Sequence, residues 1–221
     1  MYAYPPKARF SKTIPKTLIY TNAKPSPRIK ALIVSQIAEI IWQFKLSPET
    51  VNLPAADGYT ELHAFDIALK SPDLSPDVIQ TLDKAIPYPV LYRLLHGDKA
   101  RHAAAYKRPA QDAPTKWVVV AAYETPWEPA DTPGLPLPVA LNMKSLYEQM
   151  LLPYIPQKRT EGESLPDLVD REYRIRQTQR QIRQLETKLH QEKQFNRKAE
   201  INAEIRRLHS ELSQMNAGGA C

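Results

Sequence analysis

The chain of 221 residues has one cysteine, six glycines and no apolar run approaching bilayer length, and each scarcity removes a class of function. A lone Cys221 excludes an intrachain disulfide and any thiolate cluster for a structural metal, a pattern expected of a reducing cytoplasm. So few glycines leave no phosphate-cradling loop of the Rossmann or P-loop kind and no Gly-x-Ser-x-Gly elbow. The longest apolar stretches, such as residues 31–41 and 117–123, fall short of the roughly 20 residues that cross a membrane. No apolar block of signal-peptide length follows Lys7, Arg9 and Lys12, so neither a membrane span nor export is expected. His63, His96, His102, His190 and His209 are scattered, without metal-ligand spacing. No catalytic residue, metal ligand or cofactor is assigned on these grounds.

Charge is unevenly distributed. The formal total is +6 with a pI near 9.3. Residues 1–45 hold eight bases against Glu39 alone, and 46–85 hold seven acids against Lys70 and Lys84. A basic arm beside an acidic patch suits nucleic-acid contact, docking on an acidic partner, or simple solvation. Lys7, Arg9, Lys12 and Lys16 in this arm are candidate phosphate contacts.

Punctuation and periodicity divide the chain. Residues 1–25 read as a basic arm with a β-like run at 17–20. Residues 26–152 read as an α+β domain with a mostly antiparallel sheet and about three packed helices. Ser26-Pro27 offers an N-cap and a first-turn proline, and Ile29, Ile33, Ile37, Ile40, Ile41 and Phe44 recur at helical spacing, predicting one helix up to Ser47-Pro48. Residues 59–69 alternate as a half-buried strand, with 50–53 as a short partner. Ser75-Pro76-Asp77 opens a helix that Pro87 ends. Residues 90–95 and 100–107 read as strands joined at Gly97-Asp98. Beyond a proline-bearing break at 109–114, Trp117 to Tyr123 reads as a third strand in sequence order. Prolines crowd 126–138 as a surface loop anchored by Trp127 and Leu135, and 141–152 closes the domain as a helix. Residues 153–166 form a linker, 167–215 a coiled-coil-type helical segment, and 216–221 a disordered tail.

In that segment Ile175, Ile182 and Leu189 stand seven apart, with Thr178 and Leu185 three beyond two of them. The stripe resumes as Ile201, Ile205, Leu208, Leu212 and Met215 with its phase moved by two residues. Either one helix continues through a discontinuity, or an antiparallel hairpin turns near Gln194-Phe195-Asn196. The similar apolar length of the two arms favours the hairpin. So narrow a stripe needs another helix against it, making Ile175, Ile182, Leu185, Leu189, Phe195, Ile205, Leu208 and Leu212 candidate interaction residues, with a second copy or another protein as partner. Arg174, Arg176, Arg180, Arg183, Arg197 and Lys198 are candidate nucleic-acid contacts. Interspersed glutamates also suit ordinary i,i+4 pairing. Glu39, Glu61, Asp66 and Lys70 form the loose set that a degenerate metal-dependent nuclease requires, although acids on a strand's outward face are more often merely solvated.

Three stretches carry a resemblance: Lys84-Ala85-Ile86-Pro87-Tyr88-Pro89 leading to Gly97-Asp98-Lys99 and Tyr106-Lys107, the run from Ile41 to Thr50, and the run from Glu192 to Lys198. With them the chain resembles, over nearly its whole length, the bacterial family known as domain of unknown function 4391. The resemblance implies an accessory role beside helicases and DNA methyltransferases of restriction-type or phage-defence loci. The expectation is a non-catalytic adaptor docking on such an enzyme. A DNA-binding module or degenerate nuclease is the alternative. Read physically, Pro87 and Pro89 make the 84–89 segment a rigid helix-to-strand corner.

Overall fold

In the computed structural model, which describes residues 2–110 and 116–217, the chain forms two compact units, Met1–Tyr154 and Ile155–Cys221. The sequence break at 109–114 and the expected disordered tail fall largely outside the described residues.

The first unit is α+β. Its elements are β1 (Tyr2–Ala3), β2 (Arg9–Thr13), α1 (Lys16–Ala23), α2 (Pro27–Gln36), β3 (Ile37–Leu46), α3 (Pro48–Val51), β4 (Leu62–Leu69), α4 (Pro76–Ala85), β5 (Val90–His96), β6 (Lys99–Pro109), β7 (Trp117–Glu124), β8 (Glu128–Pro129), β9 (Leu135–Pro136) and α5 (Met143–Leu151). Strands β2-β3-β4-β5-β6-β7 follow one another across a sheet in which only β4 and β5 run parallel, with β8 beside β6. A parallel pair requires a crossover, and α4 supplies it.

Three expectations change. The helix starting at Ser26, whose hydroxyl accepts from Ile29 N at 3.4 Å, stops at Gln36, and the chain enters β3. Ile37, Ile40 and Ile41 fit a helical stripe equally well. This β-branched and aromatic run instead pairs with β2 on one side and β4 on the other, so tertiary pairing overrides the local period. Residues 17–20, expected as a β-like run, lie in α1, and 48–51 form α3 in place of the short strand expected at 50–53, with Ser47 N donating to Thr50 Oγ1 at 2.8 Å. The basic N-terminal residues thus belong partly to the sheet.

Side chains of β4 alternate between faces. Phe65, Ile67 and Leu69 meet Val90, Tyr92 and Leu94 of β5 and the apolar sides of α1, α2 and α4, including Ile19, Ile33, Val78 and Leu82, in one buried cluster. Beneath it lies the fully buried Lys107 ammonium, 3.0 Å from Asp83 Oδ1 and donating to the carbonyls of Asp83, Ile86 and Tyr88 at 2.9, 3.2 and 3.1 Å. Those carbonyls bracket the Pro87–Pro89 corner, so one cation fixes the joint between α4 and β5. Across the register shift after Tyr106, the Tyr147 hydroxyl from α5 donates to Ala105 O and accepts from Lys107 N at 2.9 Å.

The second unit is a helical hairpin, α6 (Leu165–Gln191) and α7 (Phe195–Ala217). Ser164 caps α6, its hydroxyl accepting from Asp167 N at 3.3 Å. Arg171 grips Glu163 through two nitrogens at 2.8 and 2.9 Å and Lys158 O at 2.8 Å, tying the proline-flanked entry segment to α6. No described helix is long and apolar enough to cross a membrane.

Candidate functional site

Between the arms of the hairpin, Ile175, Thr178 and Ile182 of α6 and Ile205 and Leu208 of α7 are buried, flanked by half-buried Leu185, Leu189, Ile201 and Leu212. The chain satisfies its own stripe. The phase shift of two residues is the turn: Glu192 leaves the helix with extended backbone, and its carboxylate accepts from Lys193 N and Gln194 N at 2.8 and 2.9 Å. These bonds hold the Glu192 carboxyl below the usual range. Phe195, predicted to join the interaction stripe, stands instead at the tip and is 82% exposed.

The hairpin's cations divide into paired and free. Arg176 meets the buried Glu172 one turn away, Arg197 lies 4.0 Å from Glu192, and Arg174 Nε reaches Asp170 O at 3.4 Å. Arg207 bridges Glu204 and Glu211. Arg180, Arg183 and Lys198 are exposed, and among the described residues no carboxylate pairs with them. Toward the tip, residues 180–198 carry six Lys or Arg against Glu186 and Glu192. The hairpin therefore ends in a cationic tip with an exposed aromatic ring.

The N-terminal cations serve mixed purposes. Lys7 precedes β2, while Arg9 and Lys12 are exposed on it, and Arg9 Nε bonds Ser11 Oγ at 3.2 Å. Lys16 is half-buried and donates to Ile37 O at 2.5 Å. Burial and the nearby Lys70 pull its pKa down. It acts as a strut between α1 and β3 and is a poor phosphate contact.

The loose nuclease set does not converge. Glu39 accepts from Thr13 Oγ1 at 3.1 Å, Lys70 donates to Val34 O at 2.8 Å, and Glu61 binds Lys45 at 2.6 Å and His63 at 2.9 Å. Strand alternation puts Glu61 and His63 on the side opposite Asp66. Among the described residues no group of three or more His, Cys, Asp or Glu can hold a metal ion.

Asp66 instead belongs to a polar row that the sequence reading overlooked. Strand register places it beside Arg93, and Arg93 beside His102. Asp66 Oδ2 accepts from Gln43 at 3.1 Å and lies 3.7 Å from Arg93, whose other nitrogen donates to Ala130 O at 2.6 Å. His102 Nε2 meets Glu128 at 2.8 Å. The row floors a cleft of about 260 Å³ that Tyr4 and Phe44 also line. Burial pushes the Asp66 carboxyl up, against the pull of Arg93 and Gln43. Among the described residues the buried Tyr4 hydroxyl meets no hydrogen-bond partner. Over the cleft runs β1, paired with β9, and Gly134 is required there because a Cβ would sit 2.8 Å from Ala3 N. The signal for this row is Arg93 within the apolar run from Val90 to Leu95, because alternation turns it to the face opposite Tyr92 and Leu94, where a half-buried charge needs a neighbour.

No curated protein and no solved structure matches the chain. The family model described as Domain of unknown function (DUF4391) spans residues 3–212, from the first strand through both arms of the hairpin, and the chain belongs to that family.

Proposed function

We propose that this protein is a non-catalytic accessory subunit of a bacterial DNA-processing system of the restriction or phage-defence type, in which the hairpin docks on a helicase or DNA methyltransferase. The observation that carries the reading is the closed hairpin. Because α6 and α7 bury each other's stripe, the arm has no need of a second copy to fold and is left free to present Phe195, Arg180 and Arg183 outward. Aromatic and arginine side chains are the types that dominate binding energy at protein interfaces. The experiment is co-purification of the tagged full-length chain with a co-expressed helicase or DNA methyltransferase of a restriction-type or phage-defence system. Arg180→Glu/Arg183→Glu/Phe195→Ala is predicted to lose capture while circular dichroism stays unchanged. Capture that survives in this variant, or none by the unaltered chain, overturns the reading.

Direct DNA contact by the same tip is the second reading, favoured by the unpaired Arg180, Arg183 and Lys198. Salt separates the two. Phosphate contact declines steeply as salt rises, whereas an adaptor shows no DNA affinity on its own at physiological salt.

A further inference from the structure

The polar row of the first unit keeps groups that the fold does not use. Asp66 Oδ2 takes the Gln43 amide, while Oδ1 makes no hydrogen bond among the described residues. Arg93 Nη2 is spent on Ala130 O, but Nη1 stands 3.7 Å from Asp66, beyond hydrogen-bond distance, on a side chain 30% exposed. Glu128 holds His102 through Oε1, and among the described residues its Oε2 is unused. A spare acceptor and a spare donor thus sit side by side on neighbouring strands, against a cleft of about 260 Å³. The Tyr4 and Phe44 rings, with centroids 4.6 Å apart, supply an aromatic wall. A second cavity, of about 220 Å³, shares Tyr2, His102, Glu128 and Thr132 with the first, so the two adjoin at Glu128.

Charge and shape narrow the occupant. Two carboxylates accompany one guanidinium, burial lowers the His102 pKa and leaves that ring neutral at pH 7, and no lysine lines either cavity. A phosphate or another anion is therefore unfavourable, and a simple cation meets Arg93. A neutral, planar group that sets N–H donors beside an acceptor satisfies both charges. Among the common nucleobases only guanine places two N–H groups, N1–H and the 2-amino group, next to each other and beside a carbonyl oxygen. Adenine and cytosine present a ring-nitrogen acceptor where the carboxylate needs a donor, and uracil and thymine flank a single N–H with carbonyls. We propose that the cleft binds guanosine, with Asp66 accepting from N1–H and the 2-amino group, Arg93 donating to O6, and Glu128 accepting from a ribose hydroxyl. A carboxylate oxygen accepts more than one bond, so Gln43 keeps its place on Asp66. Stacking on the Tyr4 and Phe44 wall adds to the recognition of the base edge. The site belongs to the first unit and is independent of docking by the hairpin.

Calorimetric titration of the full chain with guanosine should give one site with a dissociation constant on the order of 50 micromolar. Inosine, which lacks the 2-amino group, should bind about tenfold more weakly, and adenosine about 100-fold more weakly, because each leaves a polar group of the site unpaired. Guanosine 5′-monophosphate should bind no more tightly than guanosine, since the carboxylates repel its phosphate. Asp66→Asn supplies a readout that loss of structure cannot mimic. Its amide donates where the carboxylate accepted, so preference should pass from guanosine to xanthosine, whose 2-carbonyl accepts. Arg93→Met, with unchanged circular dichroism, should lose about tenfold in guanosine affinity, and it decides the matter should Asp66→Asn fail to fold. No binding of guanosine, equal binding of the nucleosides, or tighter binding of the monophosphate overturns the proposal. So does a folded Asp66→Asn chain that keeps guanosine or gains no xanthosine, or an Arg93→Met chain that binds guanosine as before.

Discussion

Lys107 is the residue on which the first unit's joint depends. Burial pulls its ammonium down and pushes the Asp83 carboxyl up, while their contact at 3.0 Å opposes both shifts. Tyr92 adds a hydrogen bond to Asp83 at 3.2 Å. Removing the cation strands a buried carboxylate and three carbonyls, so Lys107→Met is predicted to cost about 3–5 kcal/mol, read from the urea midpoint. His63 gives a pH signature. It lies between Trp42 and Tyr88, at ring-centroid distances of 4.3 and 4.7 Å, and burial lowers its pKa from 6.5 to about 4 despite the bond to Glu61. The folded imidazole is therefore neutral in a window where the unfolded one binds a proton. Stability should be full above pH 6.5 and fall by about 3 kcal/mol as the pH drops toward 4, since each unit is worth about 1.4 kcal/mol. His63→Gln should flatten that part of the profile in denaturation experiments. His102, lowered chiefly by burial, adds a slope of the same sign that persists in the variant.

At the scale of elements, α2 and β3 show how one apolar pattern serves two structures. Ile29 and Ile33 face the core from a helix, Ile37 and Ile40 face it from a strand, and the same cluster receives all four. Nothing in the spacing separates them, and the neighbouring strands do. The hairpin was more legible, because a stripe whose phase slips by two residues has to be interrupted. Its stability rests on few buried side chains, so each weighs heavily. Leu208→Ala, at a position 4% exposed, should cost about 2–5 kcal/mol and remove hydrogen-exchange protection from both arms together, since neither helix holds its stripe alone. Loss confined to α7 would mean that the arms are not mutually dependent.

For the whole molecule, a formal charge of +6 predicts attraction to polyanions at low salt, and the sign is clearer than the partner. Were the tip to contact DNA, Arg180→Gln/Arg183→Gln should reduce the slope of log affinity against log salt by about 2 in magnitude, because each phosphate contact contributes about 0.9. An unchanged slope would assign the affinity to other cations such as Arg9 and Lys12. The cleft is separable in the same assay: Asp66→Asn removes a carboxylate from the first unit and should leave the slope as it was.

The sequence by itself determined the elements whose ends are chemically marked: Ser26-Pro27 and Ser75-Pro76 at helix starts, Gly97-Asp98 between strands, and the slipped stripe of the tail. These are local effects, acting through backbone angles, caps and one-dimensional spacing. Only tertiary structure decided that Ile37 begins a strand, that Lys16 and Lys107 act as internal struts, and that Asp66, Arg93 and His102 form one row, because each depends on which strand lies alongside. The same holds for β7, whose valines read simply as a strand until the sheet order left them at an edge.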